Sequence, residues 1–174
     1  MSAPMTQDQI AAVLADHGRW LRGEGGNRAN LDGANLVGVR LVGARLDGAR
    51  LDGANLDRAR LDGASLVGVR LVGARLDGAR LDGARLVGVR LVGAKINGKI
   101  AISILRRATR KDSYEFFLWH CQEGYFIKAG CHFFTMADAR QHWTATRAGT
   151  PLGDESLDIL DFFDAAIKRQ EAAQ

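Results

Sequence analysis

The stretch VRLVGARLDGARLDGANLDRARLDGASLVGVRLVG, residues 39–73, contains one five-residue pattern seven times in succession. Each unit has Ala or Val first, a polar residue second and Leu at its centre, and every unit but one ends in Gly. Outward from this stretch, the pattern extends over residues 29–98 in fourteen units without an insertion, with Ile as the last central residue. A period of five matches neither an amphipathic helix nor an alternating strand, so the segment predicts a repeat architecture.

The residues around each Leu are expected to alternate as they do in a short strand, with Leu and the small residue facing inward. The Gly that ends each unit permits the positive φ of a tight corner. A short strand and a corner every five residues predict a coiled chain whose successive coils lie about 4.8 Å apart. One unit buries little by itself, whereas the stack buries a continuous apolar column.

Units such as ANLDG, ASLVG and ARLDG resemble the A-[D/N]-L-x-x pattern of the pentapeptide-repeat family over residues 29–98. The resemblance implies a mainly β fold, a right-handed quadrilateral β-helix with four units, or twenty residues, in each coil. On that period, one internal column of the solenoid core consists of Leu31, Leu51, Leu71 and Leu91. The chain departs from the family pattern before each Leu, where Arg mostly replaces Asp or Asn.

Residues 1–28 predict an N-terminal capping helix and a Gly-rich lead-in to the solenoid. The sequence TQDQ at Thr6–Gln9 fits a capping box, in which Thr and Gln satisfy each other's backbone N–H groups. The sequence GEGG at Gly23–Gly26 is expected to end the helix. Such a cap would cover the open edge of the first coil.

Residues 99–174 predict a small α+β module made of one β-hairpin and two helices. Every Phe and Tyr lies between residues 114 and 163, together with two of the three Trp, whereas the solenoid has no aromatic residue. We expect a turn at Glu123-Gly124, and a second helix that opens at Asp154. The module resembles a small C-terminal domain of some phage, prophage and bacterial members of the family, a resemblance that implies no activity.

The positive charge of the protein is concentrated in the repeats. The whole chain has a net charge of +4, and residues 29–98 carry eleven basic and seven acidic residues. We expect Asp52, Asp62 and Asp82 to screen the arginines two positions before them, which disfavours binding to nucleic acid. The run RRATRK at Arg106–Lys111 is expected to be a solvated connector, with a phosphate contact as the alternative.

The composition and the termini favour a cytoplasmic protein, or a virion-associated one if a phage encodes it. No apolar run is long enough to span a membrane, so no membrane partner is expected. The first residues have neither the basic nor the apolar region of a signal peptide. Two cysteines do not form a disulfide framework.

A group of Cys and His residues is the one candidate chemical site in the sequence: His120, Cys121, Cys131, His132 and His142. Their spacing does not match that of zinc knuckles. Adjacent residues of a strand also face opposite sides, which separates the first histidine from the first cysteine. We therefore predict no metal, no disulfide, no catalytic residue and no cofactor.

The assumed hairpin turn sets the register of the two cysteines. It places Cys121 opposite Phe126 and Cys131 opposite Phe116, several residues apart along the ladder. A disulfide requires Cα atoms within about 7 Å, so this register excludes one.

Valine replaces Asp after the central Leu in six of the fourteen units. Two of these valines, Val37 and Val42, are expected to be isolated on different sides of the coil. With twenty residues per coil, the other four form one apolar stripe on the second and third coils, flanked by three arginines. This candidate interaction surface consists of Val67, Val72, Val87, Val92, Arg70, Arg85 and Arg90.

Three functions remain open. The sequence favours a non-catalytic structural or protein-interaction module, a rigid rod with a capping or docking domain, whose partner is another protein or a second copy of the chain. The resemblance also suggests a DNA mimic that binds a type II topoisomerase such as gyrase, but a net positive rod opposes binding to a DNA-binding surface. The third function, an enzyme whose catalytic part is the C-terminal tail, has no motif to support it.

Overall fold

The computed structural model describes residues 3–130 and 132–173, and the chain divides into two compact units between Ile102 and Ser103. No helix in the described residues is both long and apolar enough to cross a membrane. The helices and strands, in chain order, are α1 Gln7–Arg22, β1 Lys95–Ile96, β2 Lys99–Thr109, β3 Glu115–Cys121, β4 Gly124–Ala129, β5 His132–Thr135, α2 Met136–Arg147 and α3 Pro151–Glu171.

The first helix, α1, has the predicted capping box. The Thr6 hydroxyl accepts a hydrogen bond from the Gln9 N–H at 3.2 Å, and the Thr6 N–H donates to Gln9 Oε1 at 2.8 Å. Gly23 ends the helix in the left-handed conformation, with φ 70°. On the inner face of the helix, the fully buried His17 accepts a hydrogen bond from the Ala29 N–H at 3.1 Å, which ties the cap to the first repeat.

The repeats form a β-helix in which one coil contains twenty residues. Parallel backbone bridges join each residue before a Leu to the residue twenty positions later, from the pair Asn30–Arg50 to the pair Arg75–Lys95. The Leu31 N–H, for example, donates to the Arg50 carbonyl at 2.8 Å, and the Arg50 N–H donates to the Ala29 carbonyl at 3.0 Å. Twenty residues correspond to four five-residue units per coil.

The core of the solenoid is built from the central and the small residues of the units. The side chains of Leu31, Leu51, Leu71 and Leu91 are between 1% and 4% exposed, and most of the small residues two places earlier are fully buried. The corners have positive φ even where Gly is absent, since Arg58 takes the Gly position with φ 59°. The repeat therefore imposes the corner conformation on a residue that does not favour it.

The C-terminal unit contains one more strand beside the hairpin than the sequence predicts. The strands β3 and β4 form the predicted hairpin, and β5 pairs with β4 in antiparallel orientation. The sequence does not predict β5, because its four residues lie directly before a helix. The sequence also predicts a solvated connector at Arg106–Lys111, because that run is basic, whereas the first four of these residues belong to β2.

The hairpin turn is one residue earlier than predicted, at Gln122-Glu123, and the register differs accordingly. Cys121 lies opposite Gly124 rather than Phe126, and Phe116 lies opposite Ala129. Cys131, which is predicted to lie opposite Phe116, is outside the described residues. The difference is a slip of two residues, which leaves every side chain on its predicted face, so the apolar pattern does not distinguish the two registers.

The two helices pack on one face of this sheet. Phe116 and Trp143 lie at the centre of the core, with ring centroids 5.0 Å apart, and Phe163 of α3 is fully buried in the same cluster. The second helix of this unit, α3, begins at Pro151 rather than at the predicted Asp154, with Thr150 as its N-cap. Proline is favoured in the first helical turn, because its missing N–H has no partner there.

Candidate interaction surface

Arginine–aspartate pairs join successive coils of the solenoid. The arginine before a Leu bonds to the Asp eighteen residues earlier, as Arg75 does to Asp57 at 2.6 Å and Arg80 to Asp62 at 3.1 Å. The same relation holds for the pairs Arg50–Asp32 and Arg70–Asp52. The predicted pairing of an arginine with the Asp two positions later is longer than the pairing across the coils. Arg80 lies 3.6 Å from Asp82 but 3.1 Å from Asp62. The two coils are close enough for these cross-coil pairs because they lie one inter-strand spacing apart.

The aspartates also bond to the backbone of the next coil. The Asp77 N–H donates to a carboxylate oxygen of Asp57 at 3.0 Å, and the Val72 N–H donates to Asp52 at 3.0 Å. Each such Asp thus accepts both an arginine and a backbone N–H. A valine in this position can accept neither, so the cross-coil bonds are lost wherever valine replaces aspartate.

For two arginines on the third coil, valine occupies both of the positions from which an aspartate could pair with the arginine. The positions eighteen before and two after are Val67 and Val87 for Arg85, and Val72 and Val92 for Arg90. Within the described part of the chain, neither Arg85 nor Arg90 forms an ion pair. Both arginine side chains are exposed.

The valines beside these two arginines are the most exposed large apolar side chains among the described residues. Val87 and Val92 are 62% and 63% exposed, whereas Val67 and Val72, one coil earlier, are half-buried. We call the following set the valine–arginine surface: Val67, Val72, Val87, Val92, Arg70, Arg85 and Arg90. It combines an apolar stripe with two cations that the solenoid leaves without carboxylates.

The arginines of this surface are not equivalent. Arg70, which the sequence groups with Arg85 and Arg90, bonds to Asp52 and is therefore held by the solenoid. Val37 and Val42, the two remaining valines of this class, are 36% and 49% exposed. Sequence periodicity predicts where these residues lie, but the eighteen-residue relation that makes two arginines different from the third becomes visible only in the structure.

Of the Cys and His residues in the candidate group, the structure describes Cys121, His120, His132 and His142. Cys121 is buried, and the His120 ring stacks on Tyr125 with a centroid distance of 5.0 Å. The rings of His132 and His142 lie 5.1 Å apart. No group of three or more metal-binding side chains occurs in residues 3–130 and 132–173.

An open cavity of about 910 Å³ lies beside α2 and the start of α3, lined by Lys111, His142, Thr146, Arg147 and Thr150 among others. Burial, followed by the charges of His132 and Arg147, lowers the pKa of His142 below its usual value of 6.5. The two threonine hydroxyls donate to backbone carbonyls at 2.7 and 2.8 Å and not to the imidazole. The hydrogen bond to the imidazole that would activate a hydroxyl as a nucleophile is therefore absent at both threonines.

Arg110, within the run predicted to be a solvated connector, is instead buried. Its guanidinium bonds to Asp112 at 2.6 Å and to the Ser156 hydroxyl at 2.9 Å, and it stacks on Tyr114. The guanidinium holds the pKa of Asp112 at about 2. Arg107 bonds to Glu115, so the run stabilises the C-terminal unit and contributes no free phosphate site at these two arginines.

Comparison with known proteins identifies the repeat. The family model described as pentapeptide repeats matches residues 27–63 and 59–98, in eight copies. No curated protein sequence matches the chain at a significant level.

Solved pentapeptide repeat proteins are also similar to the chain. One from the cyanobacterium Cyanothece 51142 is 33% identical over 40% of this chain and 57% of that one, with a TM-score of 0.27. Another, from the Arabidopsis thaliana thylakoid lumen, is 35% identical over 38% and 50% of the two chains, with a TM-score of 0.21. HetL of Nostoc sp. strain PCC 7120, a protein involved in heterocyst differentiation regulation, is 31% identical over 42% and 44%, with a TM-score of 0.27.

The matched part of the chain spans about half the length of these solved proteins. The five-residue period, the twenty-residue coil and the family match fall on the same segment. Residues 27–98 of the chain are therefore pentapeptide repeats.

Proposed function

We propose that this chain is a non-catalytic protein-interaction module. In this proposal, a right-handed, four-sided β-helical rod, flanked by a capping helix and a C-terminal docking unit, contacts a protein partner through the valine–arginine surface. Non-catalytic interaction is the general role of pentapeptide-repeat proteins. A location in the cytoplasm, or on a virion if a phage encodes the protein, is consistent with a chain whose two cysteines do not make a disulfide framework.

The exposure of Val87 and Val92 is the observation that supports this proposal. Most exposed positions of the repeat hold Gly or Arg, whereas these two valines are apolar and more than half exposed. Apolar patches rimmed by charge mark protein contacts more often than isolated apolar residues do. The patch is also rigid, because each valine is fixed to a hydrogen-bonded coil, so little conformational entropy is lost when it binds.

The alternatives have less support. A DNA mimic requires a negative surface, whereas residues 29–98 have four more basic than acidic residues, so we expect no inhibition of gyrase supercoiling at micromolar protein. An enzyme that used a threonine of the C-terminal unit as its nucleophile would need that hydroxyl to be activated by a neighbouring base. The threonine hydroxyls of the cavity in the C-terminal unit are instead bonded to the backbone.

A quadruple substitution tests the surface. Val67, Val72, Val87 and Val92 are replaced together by Asp, the commonest residue at this position of the repeat, so the coil should remain folded by circular dichroism. The matched control replaces Val37 and Val42 by Asp on other sides of the coil. We expect the quadruple variant alone to lose the proteins that co-purify with the wild-type chain from its source cell. Equal recovery by both variants would contradict the proposed surface.

A further inference from the structure

The helix α3 presents a face whose chemistry is complementary to the valine–arginine surface. Between Asp154 and Asp164 the helix carries five carboxylates and neither Lys nor Arg. Asp154, Asp158 and Phe162 follow one another at intervals of four residues and therefore share one side of the helix. We call these three residues the acidic face of α3.

The acidic face is solvent-exposed, and no cation in the described part of the chain pairs with its aspartates. Phe162 is 45% exposed, and it is the one large apolar side chain that is exposed among the described residues after Ile102. Asp161 and Asp164 pair with Arg140, whereas within residues 3–130 and 132–173 no ion pair includes Asp154 or Asp158. This face thus combines an apolar anchor with two unpaired carboxylates.

We propose that the valine–arginine surface of one molecule binds the acidic face of α3 of a second copy of this chain. Phe162 of the second copy would lie against the exposed valines, and Asp154 and Asp158 would supply the carboxylates that Arg85 and Arg90 lack. This inference rests on the proposed contact surface and names its partner.

Charge complementarity favours contact between the valine–arginine surface of one copy and the acidic face of another over contact between two valine–arginine surfaces. Two valine–arginine surfaces brought together would oppose the arginines of one copy to those of the other, which costs energy in a desolvated contact. The acidic face provides the opposite sign and is present at the same concentration as the arginines. Such a contact joins different surfaces of the two copies, so it produces closed rings or extended chains of molecules unless two copies bind reciprocally.

The size of the contact predicts its strength. Four valines and one phenylalanine cover much less than the roughly 1,600 Å² of a standard stable interface. We therefore expect self-association that depends on concentration, with a molar mass that rises when the purified protein is concentrated about a hundredfold. The contact should weaken in about 1 M salt, where charges are screened within about 3 Å.

Reciprocal charge reversal tests the pairing directly. One variant carries Arg85→Glu and Arg90→Glu, and the other carries Asp154→Lys and Asp158→Lys. Each alone should lose at least about tenfold in association constant, because like charges then face each other. An equimolar mixture should regain association, because each altered surface finds its complement on the other variant. The control variant Arg40→Glu with Arg58→Glu has the same change in net charge at exposed sites outside the contact.

Light scattering on the purified chains gives the decisive outcomes. Association that both reversals remove and their mixture restores supports the inference. A wild-type chain that stays monomeric throughout the concentration range overturns it, as does a mixture that stays monomeric while each variant is folded. If the inference fails in this way but the quadruple valine variant still loses its co-purifying proteins, the proposed function stands and the partner is a different protein.

Discussion

In the solenoid, each buried leucine lies one coil from an equivalent leucine, whereas each buried aromatic residue of the C-terminal unit has a different set of neighbours. Leu51 and Leu71 occupy the same place in successive coils, bridged at the residue before each. Phe116, by contrast, lies against Trp143 and Tyr114, in two different ring geometries. A core substitution in the solenoid should therefore act on the stacking of neighbouring coils. A core substitution in the C-terminal unit should act through the particular contacts of the side chain that is replaced.

The largest effect is expected from a charge placed inside the solenoid. Leu71→Asp would bury a carboxylate between two coils without a cation, and such burial costs several kcal/mol. We expect a circular-dichroism melt to show loss of the β-helix or a large fall in Tm. Val72→Asp is the matched control, because it introduces the same side chain one residue later at an outward position. A normal melt for Leu71→Asp would contradict an inward leucine column.

The next largest effect is expected in the aromatic core. Phe163→Ala removes a fully buried ring from the cluster around Trp143, a change that costs about 3–5 kcal/mol. The near-ultraviolet circular dichroism reports mainly on this unit, since the solenoid has no aromatic residue, and it should disappear at a lower temperature. Phe162→Ala, next to it and 45% exposed, serves as the control and should leave this transition unchanged.

These two regions also differ in how far the sequence alone predicts them. The five-residue period is sufficient to predict the inward leucines, the corners and the stacking of Val67 under Val87, because every unit repeats the same backbone. The hairpin is predicted two residues out of register, since Phe116 faces the same side in either register and only the turn decides between them. The unpaired state of Arg85 depends on a contact across eighteen residues, which no local pattern contains.

A smaller effect concerns the cap of the solenoid and depends on pH. Burial, opposed by the charge of Asp47, lowers the pKa of His17 below its usual value of 6.5. The unfolded chain therefore binds more protons than the folded chain between the two pKa values, and stability falls as pH decreases through about 6.5 towards the folded pKa. The Ala29 N–H donates to Nδ1 of this ring. A proton on that nitrogen would face the Ala29 N–H hydrogen, and the hydrogen bond would be lost.

The variant His17→Asn should isolate this contribution to the pH dependence. Its side-chain oxygen can still accept from the Ala29 N–H, but it does not titrate, so the decrease in Tm between pH 7 and pH 5 should become smaller. His142→Asn is the comparison in the C-terminal unit, because burial also lowers the pKa of that histidine. An unchanged pH profile in His17→Asn would mean that other groups account for the acid sensitivity.

The smallest effect separates paired from unpaired arginines on the solenoid surface. Arg80→Gln removes ion pairs to Asp62 at 3.1 Å and to Asp82 at 3.6 Å, whereas Arg90→Gln removes none that the described residues contain. The Arg80 side chain is 49% exposed, so its loss should lower the free energy of unfolding by no more than about 1 kcal/mol.

Denaturant unfolding of these two arginine variants, in low salt and in about 1 M salt, measures the difference. We expect Arg80→Gln to be less stable than the wild type in low salt and nearly equal to it in high salt, and Arg90→Gln to match the wild type in both. At concentrations where the wild type self-associates, Arg90→Gln should instead weaken association while leaving the unfolding of the monomer unchanged. A loss of monomer stability in Arg90→Gln as large as that in Arg80→Gln would show that Arg90 already has a partner within its own chain, and the arginine would then not be available to a second copy.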